Sequence, residues 1–246
     1  MIELNGIIKK YGPVTVLNGI SLTIKPDECY CLIGKNGAGK STLINILIDF
    51  IACDKGEIKI LNTNYSEDDI YIRQNIGVLP EFNPLIEDFT GYDYLKYIGL
   101  IYGLPDNLIK NRIDILSEYF YDEKSDIINK IAHYSKGMKV KLGICAAVIH
   151  KPKILILDEP FENLDPSASK ALALFLLDYR KQGNAILISS HEINYIEKIA
   201  THIGILKETK LSFSGSVDQI INEKQEGFDE VISDLLGYYQ KPLVNL

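Results

Sequence analysis

Residues Gly34, Lys35, Asn36, Gly37, Ala38, Gly39, Lys40 and Ser41 satisfy the spacing G-x-x-x-x-G-K-[ST] at every position. Glycines let a backbone wrap an anion without Cβ clashes. The loop lies between an apolar run at 28–33 and an apolar-periodic run at 40–51. A strand and a helix there would turn backbone N–H groups and the positive helix end toward a polyphosphate. In that setting Lys40 reaches the β- and γ-phosphates, Ser41 is a Mg²⁺ ligand, and Thr42 can add a hydroxyl to the α-phosphate.

A second constellation lies further on. Residues 154–157 are wholly apolar and run into Asp158-Glu159-Pro160. In a parallel sheet, carboxylates at a strand end emerge at the edge where ligands bind. Asp158 is the expected Mg²⁺ partner, and Glu159 is placed to polarise an attacking water. A solvated acidic turn is the plainer explanation of two such carboxylates alone. With a complete phosphate loop in the same chain, the two motifs form one Mg–nucleotide site.

These motifs need a scaffold. Residues 28–33, 76–79, 154–157 and 185–189 read as short strands, 57–61 as a half-exposed one, and 40–51 and 166–181 as helices. That alternation predicts a mostly parallel sheet covered on both faces. Helical periodicities rich in Tyr and Ile fill 92–150, with breaks at 103–105 and 132–137, and predict a helical insert. Phe228, Val231, Ile232, Leu235 and Leu236 share one helical face. Packing on the body of the same chain is the first expectation for it, a subunit contact the alternative.

Composition narrows the field. A net charge of −7 lacks the Lys/Arg excess that nonspecific nucleic-acid binding needs. The four cysteines, Cys29, Cys31, Cys53 and Cys145, have no zinc spacing and read as reduced, with Cys29 and Cys31 on one face of a strand. Residues 1–12 do not read as a signal peptide, and no apolar stretch is long enough to span a bilayer.

The segment Tyr134-Ser135-Lys136-Gly137-Met138-Lys139 resembles the signature motif of ABC ATPases, usually LSGGQ, and lies between the other two motifs as in that family. Ser135 and Gly137 match; Tyr134, Lys136 and Met138 are departures, of the kind seen in drug, antibiotic and sodium exporters with ABC-2-type membrane partners. Tyr11 resembles the aromatic that stacks on adenine, residues 161–165, ending in Asp165, resemble the D-loop, and His191 resembles the switch histidine that contacts the γ-phosphate. Glu81 falls where most of the family has Gln; as a charged ligand it could still contact Mg²⁺ or water. His133, His150 and His202 read as structural.

The resemblance covers roughly residues 1–215. It implies an α/β fold: a P-loop NTPase (RecA-like) core with a mostly parallel sheet, an N-terminal antiparallel β subdomain and a helical insert at about 86–150. Residues 216–246 would be a C-terminal helical extension. It implies ATP and Mg²⁺ as cofactors, and catalysis by Glu159, His191 and Lys40. It also implies that Ser135, Lys136, Gly137 and Met138 contact the nucleotide of a partner ATPase subunit, in a homodimer or heterodimer. An ABC-2-type permease would bind the insert, and the protein would be cytoplasmic, peripheral on the inner membrane face. Nucleic acid is not expected as a partner. Among Phe82, Phe89, Tyr92, Tyr94, Tyr97 and Tyr102, some are expected to line the permease groove, Tyr92 and Tyr94 first, although any single one more often fills the insert's own core. A soluble relative acting on ribosomes or DNA is the alternative. A GTPase would need an N-K-x-D motif, and the sequence has none. A non-hydrolysing regulator would not need Lys40, Asp158, Glu159 and His191 together.

Overall fold

The computed structural model describes residues 1–121, 123–191, 195–224 and 228–236. Two sheets organise them. Strands β1 (Ile2–Tyr11) and β2 (Val14–Ile24) form a hairpin, and β4 (Lys55–Ile60) pairs with the other edge of β1, giving an antiparallel sheet in the order β2-β1-β4. The half-exposed strand expected at 57–61 is therefore part of this small sheet, begins two residues earlier and ends one residue earlier. The hairpin turns at Gly12, whose φ of 58° favours a residue without a Cβ.

The main sheet has the order β5-β6-β7-β3-β8-β9. Its strands are β3 (Cys29–Ile33), β5 (Ile76–Leu79), β6 (Ile154–Asp158), β7 (Ala185–Ser190), β8 (His202–Lys207) and β9 (Lys210–Ser216). All neighbours are parallel except β8 and β9. Strand periodicity sorts the side chains. Cys29, Cys31, Ile33, Leu155, Leu157, Ile186 and Ile188 enter one apolar core, while Tyr30, Leu32, Ile154, Ile156, Ala185 and Leu187 enter another on the opposite face. Cys29 and Cys31 thus share a face as expected, and the four cysteines are free thiols.

Helices cover both faces. Helix α1 (Lys40–Leu47) follows the phosphate loop; it is shorter than the periodicity at 40–51 suggests, because Asp49 turns left-handed with φ 60°. Helix α2 (Tyr65–Asn75) precedes β5 and is opened by a reciprocal capping box between Asn64 and Glu67. The insert contributes α3 (Gly91–Ile101), α4 (Asp106–Phe120) and α5 (Lys136–Val148). Gly103 (φ 70°) makes the break between α3 and α4. Helix α6 (Pro166–Lys181) joins β6 to β7, and the single turn α7 (Ile196–Ile199) lies between β7 and β8. The chain continues as α8 (Val217–Lys224) and α9 (Phe228–Leu236). Phe228, Val231, Ile232 and Leu236 are buried in the same core as the sheet's strands and Leu235 packs against it, so this face is covered by its own chain.

The aromatics of the insert divide. Tyr94 is buried, 8% exposed, whereas Phe82 is 82% and Tyr97 45% exposed. Phe89 and Tyr92 lean on the core, and Tyr102 stacks on His150 with ring centroids 3.6 Å apart. The expectation that Tyr94 faces a partner is therefore corrected: its position on α3 points inward, toward the insert's own core. Tyr94→Ala is expected to cost about 3 kcal/mol of stability, the usual scale for removing a buried aromatic, measured as a shift of the urea midpoint at constant slope.

Candidate functional site

Strands β3, β6 and β7 end at one edge of the sheet. Register fixes what meets there: Ile33 pairs with Ser190, and Asp158 pairs with Ser189. The loop leaving β3 needs its glycines. A Cβ on Gly34 would meet the Leu206 carbonyl oxygen at 2.7 Å, and Gly37 and Gly39 have φ of 78° and 106°. Lys40, the first residue of α1, is 6% exposed; its Nζ donates to the Gly34 carbonyl at 2.8 Å and lies 3.2 Å from Glu159 Oε1.

Glu159 adopts φ 49°, a left-handed conformation uncommon for a residue with a side chain. Its N–H donates to both the carbonyl and the hydroxyl oxygen of Ser189. Its Oε2 accepts from the His191 N–H at 3.2 Å and lies 3.0 Å from His191 Nδ1. The carboxylate thus bridges Lys40 and His191. Behind it Asp158 is buried, receives a hydrogen bond from the Ser189 hydroxyl, and is hydrogen-bonded by Ser41. Burial pushes the Asp158 carboxyl above the usual carboxylate range; the Ser189 and Ser41 hydroxyls oppose this, and the charges of Glu81 and Glu159 reinforce it.

Around these groups lies an open cavity of about 510 Å³. Asn36, Gly37, Gly39, Lys40, Ser41, Thr42, Glu81, Glu159 and His191 line it, so residues from four separate sequence motifs converge. Glu162, from the segment 161–165 that resembles the D-loop, also lines it, as does Val16, which was not singled out in the sequence because an isolated Val on a hairpin carries no pattern. Lys35 and Ala38 face an adjoining hollow of about 290 Å³ beside Leu206 and Leu236, which shares Asn36 and Gly37 with the cavity. Tyr11 lies at the end of β1, 50% exposed, with Lys9 Nζ 5.2 Å from its ring centroid, and is not among the residues lining the phosphate cavity.

The signature residues form a second surface. Ser135 caps α5, its hydroxyl accepting from the Met138 N–H at 3.2 Å. Helix α5 therefore starts at Lys136, inside the break read at 132–137, because the Ser135 cap gives it a defined beginning. A Cβ on Gly137 would meet the Asn163 carbonyl at 2.9 Å, which ties the start of α5 to the turn after β6. In that turn Asp165 caps α6 by accepting from Ala168 N–H at 2.9 Å, and this bond holds its carboxyl below the usual range. Ser135, Lys136, Gly137, Met138 and Asp165 line one cavity of about 530 Å³, together with Lys141 and Asn163. It shares no lining residue with the phosphate cavity.

A phosphate loop, two carboxylates at a parallel strand end and a histidine over them define a nucleoside-triphosphate hydrolase of the P-loop class. The model of the family described as "ABC transporter" matches residues 17–162, and the chain belongs to that family as an ATP-binding, ATP-hydrolysing subunit. It is 32% identical over 233 residues to the bacitracin transport ATP-binding protein BcrA of Enterococcus faecalis, covering 93% of this chain and 74% of that one. Against the lantibiotic transport ATP-binding protein SrtF of Streptococcus pyogenes it is 32% identical over 218 residues, covering 89% and 92%. A solved ATP-binding subunit of an ABC transporter superposes with a TM-score of 0.88 at 29% identity, over 96% of this chain and 99% of that one.

The Asp158 environment gives a pH-dependent expectation. Because its folded pKa lies above the unfolded value of 3.8, the ionised carboxylate opposes folding, and the penalty grows as pH rises through that folded pKa. Asp158→Asn is expected to raise the thermal midpoint of the nucleotide-free protein at neutral pH. The gain should vanish below about pH 3.8, where both states are protonated; calorimetry across pH checks it.

Proposed function

We propose that the chain drives export through a separate ABC-2-type membrane permease by ATP-dependent closure of a head-to-tail dimer, homo- or heterodimeric, on the cytoplasmic face of the membrane. The observation that carries this is the separation of the two half-sites. Within one chain, Ser135 and Gly137 open on a different cavity from Lys40 and Glu159. A second ATPase subunit, turned by a two-fold axis, would bring its signature over the nucleotide. No described helix is long and apolar enough to cross a membrane, and in this reading the permease supplies the route for the substrate. Relatives described as bacitracin and lantibiotic transport ATP-binding proteins support the transport reading, and one described as a Nod factor export ATP-binding protein supports export.

The residues present fit Mg²⁺. The Ser41 hydroxyl and the buried Asp158 carboxylate are hydrogen-bonded to each other, and a divalent cation there would relieve the unfavourable burial of Asp158. Among the described residues no three His, Cys, Asp or Glu side chains are arranged to hold a metal ion by themselves. That suits a metal taking one or two protein oxygens and the rest from phosphate and water. When bound, Mg²⁺ would neutralise charge on the phosphates. Glu81 would be a further, charged contact near it.

Lys40 would exchange Glu159 for the β- and γ-phosphates. Glu159, released from Lys40, would orient the attacking water, and His191 would hold the γ-phosphate. Gly34 to Thr42 would cradle the phosphates and Tyr11 would cover the base. Lys136, at the start of α5, would add a cation to the Ser135–Gly137 contact, and Asp165 would hold that surface through α6.

The permease would meet exposed apolar side chains of the insert: Phe82, Tyr97, Leu100 and Ile101 are 82%, 45%, 50% and 61% exposed. The double substitution Tyr97→Ala/Ile101→Ala is expected to leave basal ATPase in place and abolish stimulation by the reconstituted permease. Equal loss of both activities would place these residues in the fold instead. Glu159→Gln is expected to lower steady-state phosphate release by about 10²-fold or more, the scale of general-base catalysis. With ATP, this variant should copurify from detergent-solubilised membranes with a polytopic membrane protein. Recovery of ribosomal proteins or nucleic acid in its place would replace the transporter reading with a soluble one.

A further inference from the structure

Away from both half-sites, a groove of about 480 Å³ opens between α4 of the insert and α6 of the core, closed at one end by the α5–β6 junction. Its walls are largely apolar, from Leu116, Val148 and Phe175, with Ile115 at the rim, 58% exposed. Two cations, Arg112 and Lys151, face it, and no carboxylate lines it. One guanidinium N–H of Arg112 donates to the Ile149 carbonyl at 2.5 Å, at the C-terminal cap of α5, where a cation is favoured by the helix dipole. Its Nε is buried and has no hydrogen-bond partner. A buried charged donor without an acceptor is costly. Burial also pulls the Arg112 pKa down, consistent with a cation that lacks a counter-ion. Two further polar groups of the wall are already paired: Tyr179 donates its hydroxyl to the Pro152 carbonyl, and Asn184 donates to the Tyr179 carbonyl at 2.9 Å.

We propose that this groove binds a small amphipathic organic anion, a carboxylate on a hydrocarbon body. The volume is that of a small-molecule site, and the pattern of apolar walls with few convergent polar groups is the usual one. The carboxylate meets the accessible part of the Arg112 guanidinium and Lys151, and the hydrocarbon lies on Leu116, Val148 and Phe175. An occupant would bridge α4 and α6 and so fasten the insert to the core, at a place that neither the nucleotide nor the permease surface touches.

The test is isothermal titration of the full-length protein with decanoate, and with decanol as the uncharged arm. Decanoate is expected to bind at one site, at least tenfold tighter than decanol. Ile115→Asp, a change at an exposed rim position that places a like charge beside the carboxylate, is expected to weaken decanoate at least tenfold. Arg112→Gln should bring decanoate down to the decanol level, and Ile70→Asp, on exposed α2, should keep the parental affinity. Absence of binding, equal binding of decanoate and decanol, or an affinity that Ile115→Asp leaves in place would each overturn the proposal. The rim variant decides it even if Arg112→Gln disturbs the end of α5.

Discussion

The site depends on one pairing, that of Asp158 on β6 with Ser189 on β7. Ser189 is fully buried, and its hydroxyl donates to Asp158 while accepting from the Glu159 N–H. A single serine therefore positions both acids. Strand side chains alternate with period two, so a one-residue slip would turn Ser189 away and bring an isoleucine or a second serine to the acid pair. The slip is opposed by the sorting of β6 itself: Leu155 and Leu157 belong to one core, Ile154 and Ile156 to the other, and all four are fully buried. Each such side chain is worth about 1.5–3 kcal/mol of burial. The hydrophobic layering thus sets a register whose chemical product appears at the strand end.

That register creates an electrostatic tension. Glu159, Glu81 and Glu162 line a cavity whose lining includes one buried cation, Lys40, and the buried Asp158 lies behind them. A polyphosphate brings more negative charge to the same place. The loop's N–H groups and the start of α1 would offset part of this, and the Mg²⁺ proposed above would offset more. Glu81 strengthens the argument: with Gln in its place, as in most of the family, the wall would carry one charge fewer. The left-handed Glu159 is the local strain that accompanies this arrangement, held by Ser189, Lys40 and His191.

The parts that can be read from the sequence are those with strict spacing or wholly apolar runs. The phosphate loop, β3, β6, β7 and α6 stand where the residues place them, because a buried parallel strand admits only apolar side chains and a phosphate loop needs its glycines. Other features depend on contacts between distant segments. Nothing in Tyr94 distinguishes it from Tyr97 except the side of α3 that the rest of the insert covers. Val16 reaches the phosphate cavity only because the β1–β2 hairpin folds over the loop, where Val16 and Leu17 crowd Gly39. Helix α1 ends early through a left-handed Asp49 that no periodicity announces. Arg112 and Ile149 are far apart in sequence, and a lone Arg on an amphipathic helix reads as a solvated face.

Helix α5 is the element that makes the two half-sites one machine. Its first turn is fixed to the core through Gly137 against the Asn163 carbonyl, and to the insert through Lys139, whose Nζ lies 2.5 Å from Glu87. Just before it, Tyr134 packs on Gly91 and donates to the Asp126 carbonyl at 2.9 Å. Its last turn is held by Arg112 through Ile149, by Tyr179 through Pro152, and by His150, which reaches the Ile76 carbonyl at 2.9 Å. Three residues after Pro152 the chain is already in the strand that ends in Asp158 and Glu159. Helix α5 and β6 are thus consecutive elements joined by the short turn at 149–153. Under the proposed head-to-tail closure, the helix that opens with the signature residues leads through that turn to the strand carrying the acids of its own site, and this continuity would couple closure over one nucleotide to chemistry on the other.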